Sequence, residues 1–264
     1  MLSFVGIGLS SPDDITIRGK RVAQSADRVI LESYTSRLDT SHQELERTLN
    51  TDIEIGRRQD LEQGADDIVE DAKNRHVCIL IIGDVFGATT HSMIHLEARK
   101  AGVQTQIVHN ASILTAVSQT GLQLYNFGKT TSIVFPDNNW YPDTPYNVIK
   151  QNQEHGLHTL CLLDIKVAEP SREDLLRGKD APQEPRYMTA KQAAKVLLTL
   201  EEKHGENIVS PTTKAVGVQN LGGPNQDIWY TALQNQPETE TPLQSLIIPG
   251  KLHELEQEML KTYE

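Results

Sequence analysis

Cysteine is scarce in this sequence: of 264 residues, Cys78 and Cys161 alone carry a thiol. Each sits inside an apolar run, so a buried, reduced side chain is expected rather than a disulfide framework or a thiol nucleophile. Long hydrophobic runs are missing too. No segment approaches the roughly 20 consecutive apolar residues needed to cross a bilayer, so no membrane helix and no membrane partner are expected. Positive charge is in deficit, with 25 Lys and Arg against 36 Asp and Glu and a formal net charge of −11. That balance opposes a phosphate backbone and argues against nucleic acid as a direct partner. The opening MLSFVGIGLSS has no basic leading region and is cut by glycines. It reads as a first strand rather than a signal peptide, and a cytoplasmic protein is expected.

Two catalytic patterns are also missing. His91 and His95 stand four apart, but Ser-Met-Ile lies between them where a zinc protease needs a glutamate. They read as helix-surface histidines, and no metal site is assigned. His109 follows a strand with no serine or cysteine nucleophile motif beside it, so no triad is expected and no catalytic residue is named.

What is present is an alternation of strand and helix signals. A strand over residues 2–7 leads through a loop to a helix from about Thr16 to Ser25, and Arg28 to Leu31 forms the next strand. The spacing then predicts a helix from Leu61 to Ala72, a buried strand from Val77 to Ile82, a helix from His91 to Ala101 stopped by Gly102, and a strand from Val103 to Val108. A short helix, Ile113 to Thr120, ends at Gly121. Strand–helix alternation of this kind defines an α/β unit with a mainly parallel sheet. The pattern changes from Thr131: strand, Pro/Asn/Asp-rich loop, helix to His155, strand from Leu157 to Ile165, and a long helix from about Ala190 to Lys203. Strands near Ala215 to Leu221 and Leu243 to Ile248 enclose a polar linker, and a helix from Leu252 to Tyr263 closes the chain. Two α/β domains are expected, 1–125 and 126–264.

Three loops at strand C-termini of the first unit, GLSSPDD, GDVFGATT and HNASI, line up at the edge where open sheets bind ligands. Gly83 and Gly87 allow close backbone approach, Asp84 supplies an acceptor, and Ser112 a hydroxyl near a helix start. Turn and cap chemistry accounts for Asp84 or Ser112 taken singly. A nicotinamide-dependent Rossmann oxidoreductase is the competing reading, since Gly6, Gly8 and Glu32 fall near fingerprint positions. Ser11 stands where the third glycine belongs, however, and a helix starting near Thr16 is badly placed for a pyrophosphate.

Taken in order, GIGL with DITIRG, LESYTS, GDVFGATTHS, HNASI, GLQLYNFGKTTSIVF, LHTLCLLDIKV, PRYMTAKQAA and PLQSLII resemble the diphthine synthase family. These stretches run through nearly the whole chain, and two of them, GLQLYNFGKTTSIVF and HTLCLLDIKV, look more like the eukaryotic members than the archaeal ones. The resemblance implies two α/β domains of the tetrapyrrole methylase-like class, a homodimer, and S-adenosyl-L-methionine held in the inter-domain cleft and released as S-adenosyl-L-homocysteine. By matching motifs, the implied cofactor contacts are Leu9, Asp84, Gly87, Ser112, Ile113, Leu163, Leu221 and Gln244. Val85 stands where the family usually has proline, Gln244 where it has histidine, and VGVQNLGG departs from the usual ARxG, which bears on Leu221. The implied reaction is successive methylation of the 3-amino-3-carboxypropyl group on one histidine of translation elongation factor 2. Eukaryote-like motifs point to four methyls and diphthine methyl ester; archaeal members stop at three. A methylase acting on a small tetrapyrrole shares the fold, and an inactive homologue that only binds elongation factor 2 is the non-enzymatic alternative.

Overall fold

Continuous burial of an apolar segment requires cover on both faces, and this is what the first sheet has. The computed structural model describes residues 1–34, 36–137, 140–167, 184–239 and 241–264. It divides into two compact units, Met1–Ala116 and Val117–Glu264. The sequence pattern puts the division at 125/126, nine residues later.

The first unit runs β1 (Leu2–Gly6), α1 (Ile17–Gln24), β2 (Arg28–Glu32), α2 (His42–Leu49), β3 (Glu54–Gly56), α3 (Ala65–Asn74), β4 (Val77–Ile81), α4 (Ser92–Lys100), β5 (Thr105–Val108) and α5 (Ile113–Ala116). Its five strands pair in the order β3-β2-β4-β1-β5, all parallel. Alternate residues feed opposite cores. Phe4, Ile79 and Ile81 pack with Ile68, Val69, Ile94 and Ala98 from α3 and α4. Val5, Cys78 and Leu80 pack with Val22, Ala23, Leu45 and Leu49 from α1 and α2. The central strand β4 is therefore fully buried.

Local chemistry sets the helix ends. Thr16 Oγ1 accepts the Gly19 N–H at 2.9 Å and starts α1, while Gly102, at φ +72°, follows the end of α4. A π-turn at Gln59–Gln63 precedes α3, in place of the single helix expected from Leu61. Two elements had no counterpart in the sequence reading. The α2 helix buries only Leu45 and Leu49, and β3 is a three-residue edge strand with only Gly56 buried.

The second unit contains β6 (Thr131–Ile133), α6 (Thr144–Glu154), β7 (Thr159–Leu163), the short pair β8 (Ile165–Lys166) and β9 (Arg186–Tyr187), α7 (Ala190–His204), β10 (Lys214–Gln219), β11 (Asp227–Ala232), β12 (Gln244–Ile248) and α8 (Glu254–Lys261). The sheet order is β11-β10-β12-β7-β6, with only β6 and β7 parallel. Tyr146, Ile149, Leu197 and Leu200 cover Ile133, Cys161, Leu246 and Ile248 on one face. The expected polar linker contains strand β11. Its Trp229 pairs with Gly217 of β10, where an added Cβ would come within 2.2 Å of the indole. Trp229 Nε1 donates to Gln236 Oε1 at 2.7 Å. A bare glycine thus makes room for a large ring in a segment that is mostly polar.

Both cysteines are buried and free, and burial pushes each thiol up to about 12. No helix among the described residues is long and apolar enough to cross a membrane.

Candidate functional site

Parallel register brings three strand ends of the first unit level, with Gly6 opposite Ile81 and Val5 opposite Val108. The loops beyond them are joined by backbone bonds. Gly83 N–H donates to Gly8 O at 2.7 Å, and Gly8 N–H returns to Gly83 O at 3.3 Å. Both glycines have positive φ, +87° and +84°, which side-chain-bearing residues adopt only at a cost. Asn110 Nδ2 donates to the carbonyls of Gly6 and Asp14, at 3.0 Å each.

Asp84 is the hub of this edge. Its Oδ2 accepts from Asn110 N at 3.0 Å and from His109 Nδ1 at 2.9 Å, and its Oδ1 accepts from Phe86 N at 3.1 Å. Partial burial pushes the carboxyl up, but the Asn110, Phe86 and His109 donors outweigh it and hold Asp84 below the usual carboxylate range. It is ionised at neutral pH. Gly87 lies against Ser112: an added Cβ would fall 2.8 Å from its Oγ. Ser112 is buried, its carbonyl accepts the Ala116 N–H, and Ile113 begins α5. Leu9, half-buried, follows the Gly8–Gly83 bridge. Five of the eight sequence-derived positions therefore converge on one sheet edge.

The other three converge on an edge of the second sheet. Leu163 ends β7, Gln244 begins β12 opposite Gln219, and the register of Ser245 with Leu162 sets Leu163 beside Gln244. Leu221 lies two residues past Gln219, just after Asn220 N–H has bonded Leu243 O at 2.7 Å. The Gln244 amide is committed to the fold. Its Oε1 accepts the Ala190 N–H at 2.8 Å at the start of α7, and its Nε2 donates to Thr239 O and Thr241 O at 3.0 and 3.1 Å. Any ligand contact at this position is therefore left to its backbone. Gln244→Ala leaves the Ala190 N–H unpaired, and a loss of about 2 kcal/mol in urea unfolding is expected.

Two departures from the sequence reading are clear, and the competing Rossmann reading fails. His91 is not a helix-surface residue but is 1% exposed. His95 is half-buried and bonds Thr105 Oγ1 at 3.1 Å. Glu32, placed by the Rossmann reading at a ribose, is fully buried with the Tyr34 N–H on its carboxylate at 2.7 Å. With α1 opening only at Ile17, after a 3₁₀ turn at Pro12–Asp14, no helix N-terminus meets the glycine loop. Val85, in the usual proline position, is fully buried in the core. His109 and Asn110 are the site residues that sequence pattern underweighted; their only signal was their place after a strand.

Two α/β units, each bringing candidate ligand positions to one strand edge, with no complete dinucleotide fingerprint among the described residues, fit a methylase class of fold. The family model for Tetrapyrrole (Corrin/Porphyrin) Methylases matches residues 1–236. This chain belongs to that family and is a methyltransferase that uses an S-adenosylmethionine-type donor. Within the family it groups with the diphthine synthases. It is 45% identical over 264 residues to the diphthine methyl ester synthase of Eremothecium gossypii, covering 98% of this chain and 89% of that one. It is 43% identical over 270 residues to that of Mus musculus, covering 100% and 96%. A crystal structure of a diphthine synthase superposes with a TM-score of 0.85 at 33% identity, covering 99% and 95%.

Proposed function

We propose that this chain transfers four methyl groups in succession to the 3-amino-3-carboxypropyl group on a histidine of translation elongation factor 2, giving diphthine methyl ester. The donor is S-adenosyl-L-methionine and the product S-adenosyl-L-homocysteine; the enzyme works in the cytoplasm as a homodimer. The observation that supports this most directly is the end-to-end similarity to proteins named diphthine methyl ester synthase.

The residues present fit the donor. When bound, S-adenosyl-L-methionine supplies a methyl group on a positively charged sulfur. The ionised Asp84 offers a negative acceptor held rigid by three donors. Gly87 keeps the backbone bare beside Ser112, and Leu9 and Ile113 add apolar cover. Leu163, Leu221 and Gln244, in the second unit, are the remaining positions that the resemblance implies, and Gln244 has its side-chain amide already bonded within the fold. Alignment of acceptor with methyl is where such a site gains its rate. Asp84→Ala should weaken S-adenosyl-L-methionine binding by at least about tenfold in calorimetry while unfolding stays cooperative, since a charge-assisted bond is lost from a partly exposed position. Unchanged affinity would remove Asp84 from the site.

The experiment is mass spectrometry of the modified histidine peptide after reaction with elongation factor 2 carrying the unmethylated intermediate. Four added methyls, one lost in mild alkali, are expected. Three would assign the reaction of the archaeal type, and none despite cofactor binding would leave an elongation-factor-binding homologue.

A further inference from the structure

The C-terminal edge of the first sheet also holds polar groups that the cofactor residues do not use. Strands β2 and β4 are neighbours, so the segments that follow them bring Tyr34 and His91 together, beyond the loop that carries Asp84 and Gly87. The two ring centres lie 6.5 Å apart, tilted by 47°. Tyr34 is 6% exposed and His91 1%. Among the described residues neither imidazole nitrogen has a hydrogen-bond partner, nor does the phenolic hydroxyl in good geometry, with Thr90 beside it. Unpaired polar atoms buried this deeply destabilise a fold, and native structures that keep them need a reason.

The charged groups facing the pair are Glu32, Glu62 and Arg58. Glu32 holds the Tyr34 N–H. Glu62, in the π-turn, accepts from Thr90 Oγ1 at 3.1 Å. The Arg58 guanidinium lies 5.3 Å from the Tyr34 ring centre. Burial and the Glu32 charge push the Tyr34 hydroxyl up to about 12, and burial pushes His91 down to about 4. Both side chains are neutral at physiological pH. Between Gly87 and His91 the chain passes through Ala88 at φ +63°, a left-handed conformation rare for a residue with a side chain. Strain of this kind clusters in segments that change conformation around a ligand, and it lies where the loop must yield to admit one.

We propose that the His91 imidazole and the Tyr34 hydroxyl receive the acceptor amino group of the substrate and hold it in its neutral, nucleophilic form, an inference that rests on the amine methylation proposed above. An ammonium ion has no lone pair, so each transfer to nitrogen begins with loss of a proton to solvent. Burial that keeps His91 uncharged equally disfavours a charged amine set against it and shifts that equilibrium towards the free base, with Glu32 and Glu62 opposing the shift and Arg58 aiding it. In the first transfer His91 and Tyr34 accept the two N–H bonds of the free amine and leave its lone pair free; the second transfer keeps one such bond, and the third acts on a tertiary amine that has none. The lone pair forms the new N–C bond, and the electrons of the C–S bond remain on the donor's sulfur. Transfer to a carboxylate oxygen requires no deprotonation and does not need the subsite.

The test uses the full chain, S-adenosyl-L-methionine, and elongation factor 2 carrying either the unmethylated or the trimethylated side chain. His91→Leu and Tyr34→Phe remove only unpartnered polar atoms, so both should keep cofactor affinity and keep or raise the unfolding temperature. At pH 7, His91→Leu should slow the first nitrogen transfer about 100-fold and Tyr34→Phe about tenfold. The deficit should close by about tenfold per pH unit as the free amine is populated, while ester transfer to the trimethylated side chain stays within about twofold. Unchanged nitrogen methylation, a deficit independent of pH, or equal losses on nitrogen and oxygen would overturn the subsite. If the unaltered chain stops at three methyls, the pH dependence alone decides. If it transfers none while binding S-adenosyl-L-methionine, the functional reading fails and the subsite falls with it.

Discussion

Glu256→Ala should lower the stability of the second unit by about 4 kcal/mol, because it removes one half of a buried, hydrogen-bonded pair. Glu256 and His158 are both fully buried, with Oε1 of one 3.1 Å from Nε2 of the other. The imidazole Nδ1 accepts the Gly250 N–H at 2.9 Å, which assigns the remaining proton to Nε2 and leaves a neutral histidine donating to an ionised carboxylate. Oε1 also accepts from Gln123 N at 2.9 Å and Oε2 from His253 N at 2.7 Å. Burial pushes Glu256 up, but these backbone donors and His158 outweigh it and hold the carboxyl below its ordinary range. One side chain thus ties the first turn of α8 to the segment before β6, to the start of β7 and to the loop after β12. Alanine leaves two backbone N–H groups and an imidazole N–H without acceptors. Urea unfolding followed by tryptophan fluorescence reads the loss, since Trp229 is buried in this unit. Glu256→Gln keeps the shape and one acceptor, and should cost about half as much. Equal stability of Glu256→Ala and the unaltered chain would show that the network holds nothing together.

The sequence spoke most clearly where one residue answers to one local demand. Thr16 caps α1 because its hydroxyl accepts from Gly19, and Gly102 follows α4 at positive φ; both are short-range chemistry. The uninterrupted apolar run of β4 signalled cover on both faces, which is what the two cores supply. What stayed hidden depends on partners far along the chain. Strand β11 is legible only once Gly217 is seen to make room for Trp229. The α2 helix presents just two buried leucines. For the candidate site, glycine and carboxylate placement at strand ends pointed to the edge where five of the eight positions gather, but depth was not readable. His91 and His95 share a helical spacing that says nothing about which ring is buried, and the structure separates them: one ring bonds Thr105, the other bonds nothing among the described residues. Gln244 shows the same limit, since its three side-chain bonds reach α7 and the preceding loop.

Depth has a consequence that acid titration will expose. The His91 pKa falls from 6.5 in the unfolded chain to about 4 in the fold, and burial is the cause. Protonation therefore favours the unfolded chain. Stability should be level above pH 6.5 and decline as pH falls towards 4, the total loss being about 3 kcal/mol at about 1.4 kcal/mol per pH unit. The carboxylates act in a lower window. Asp71, Asp84, Glu201 and Glu256 are all held below their ordinary values, so their contributions are present above about pH 4.5 and lost only as pH drops through their folded-state values. Between pH 6.5 and 4.5 the slope belongs mainly to the buried imidazole. His91→Leu, which cannot titrate, should flatten that part of the curve while leaving the carboxylate region intact. The measurement is urea unfolding at half-unit pH steps on both proteins. Parallel curves would mean that the imidazole is hydrated or paired in solution. A flattened curve would establish that the fold keeps a neutral, unsatisfied histidine at its sheet edge, the state in which it can accept a proton-bearing group from a ligand.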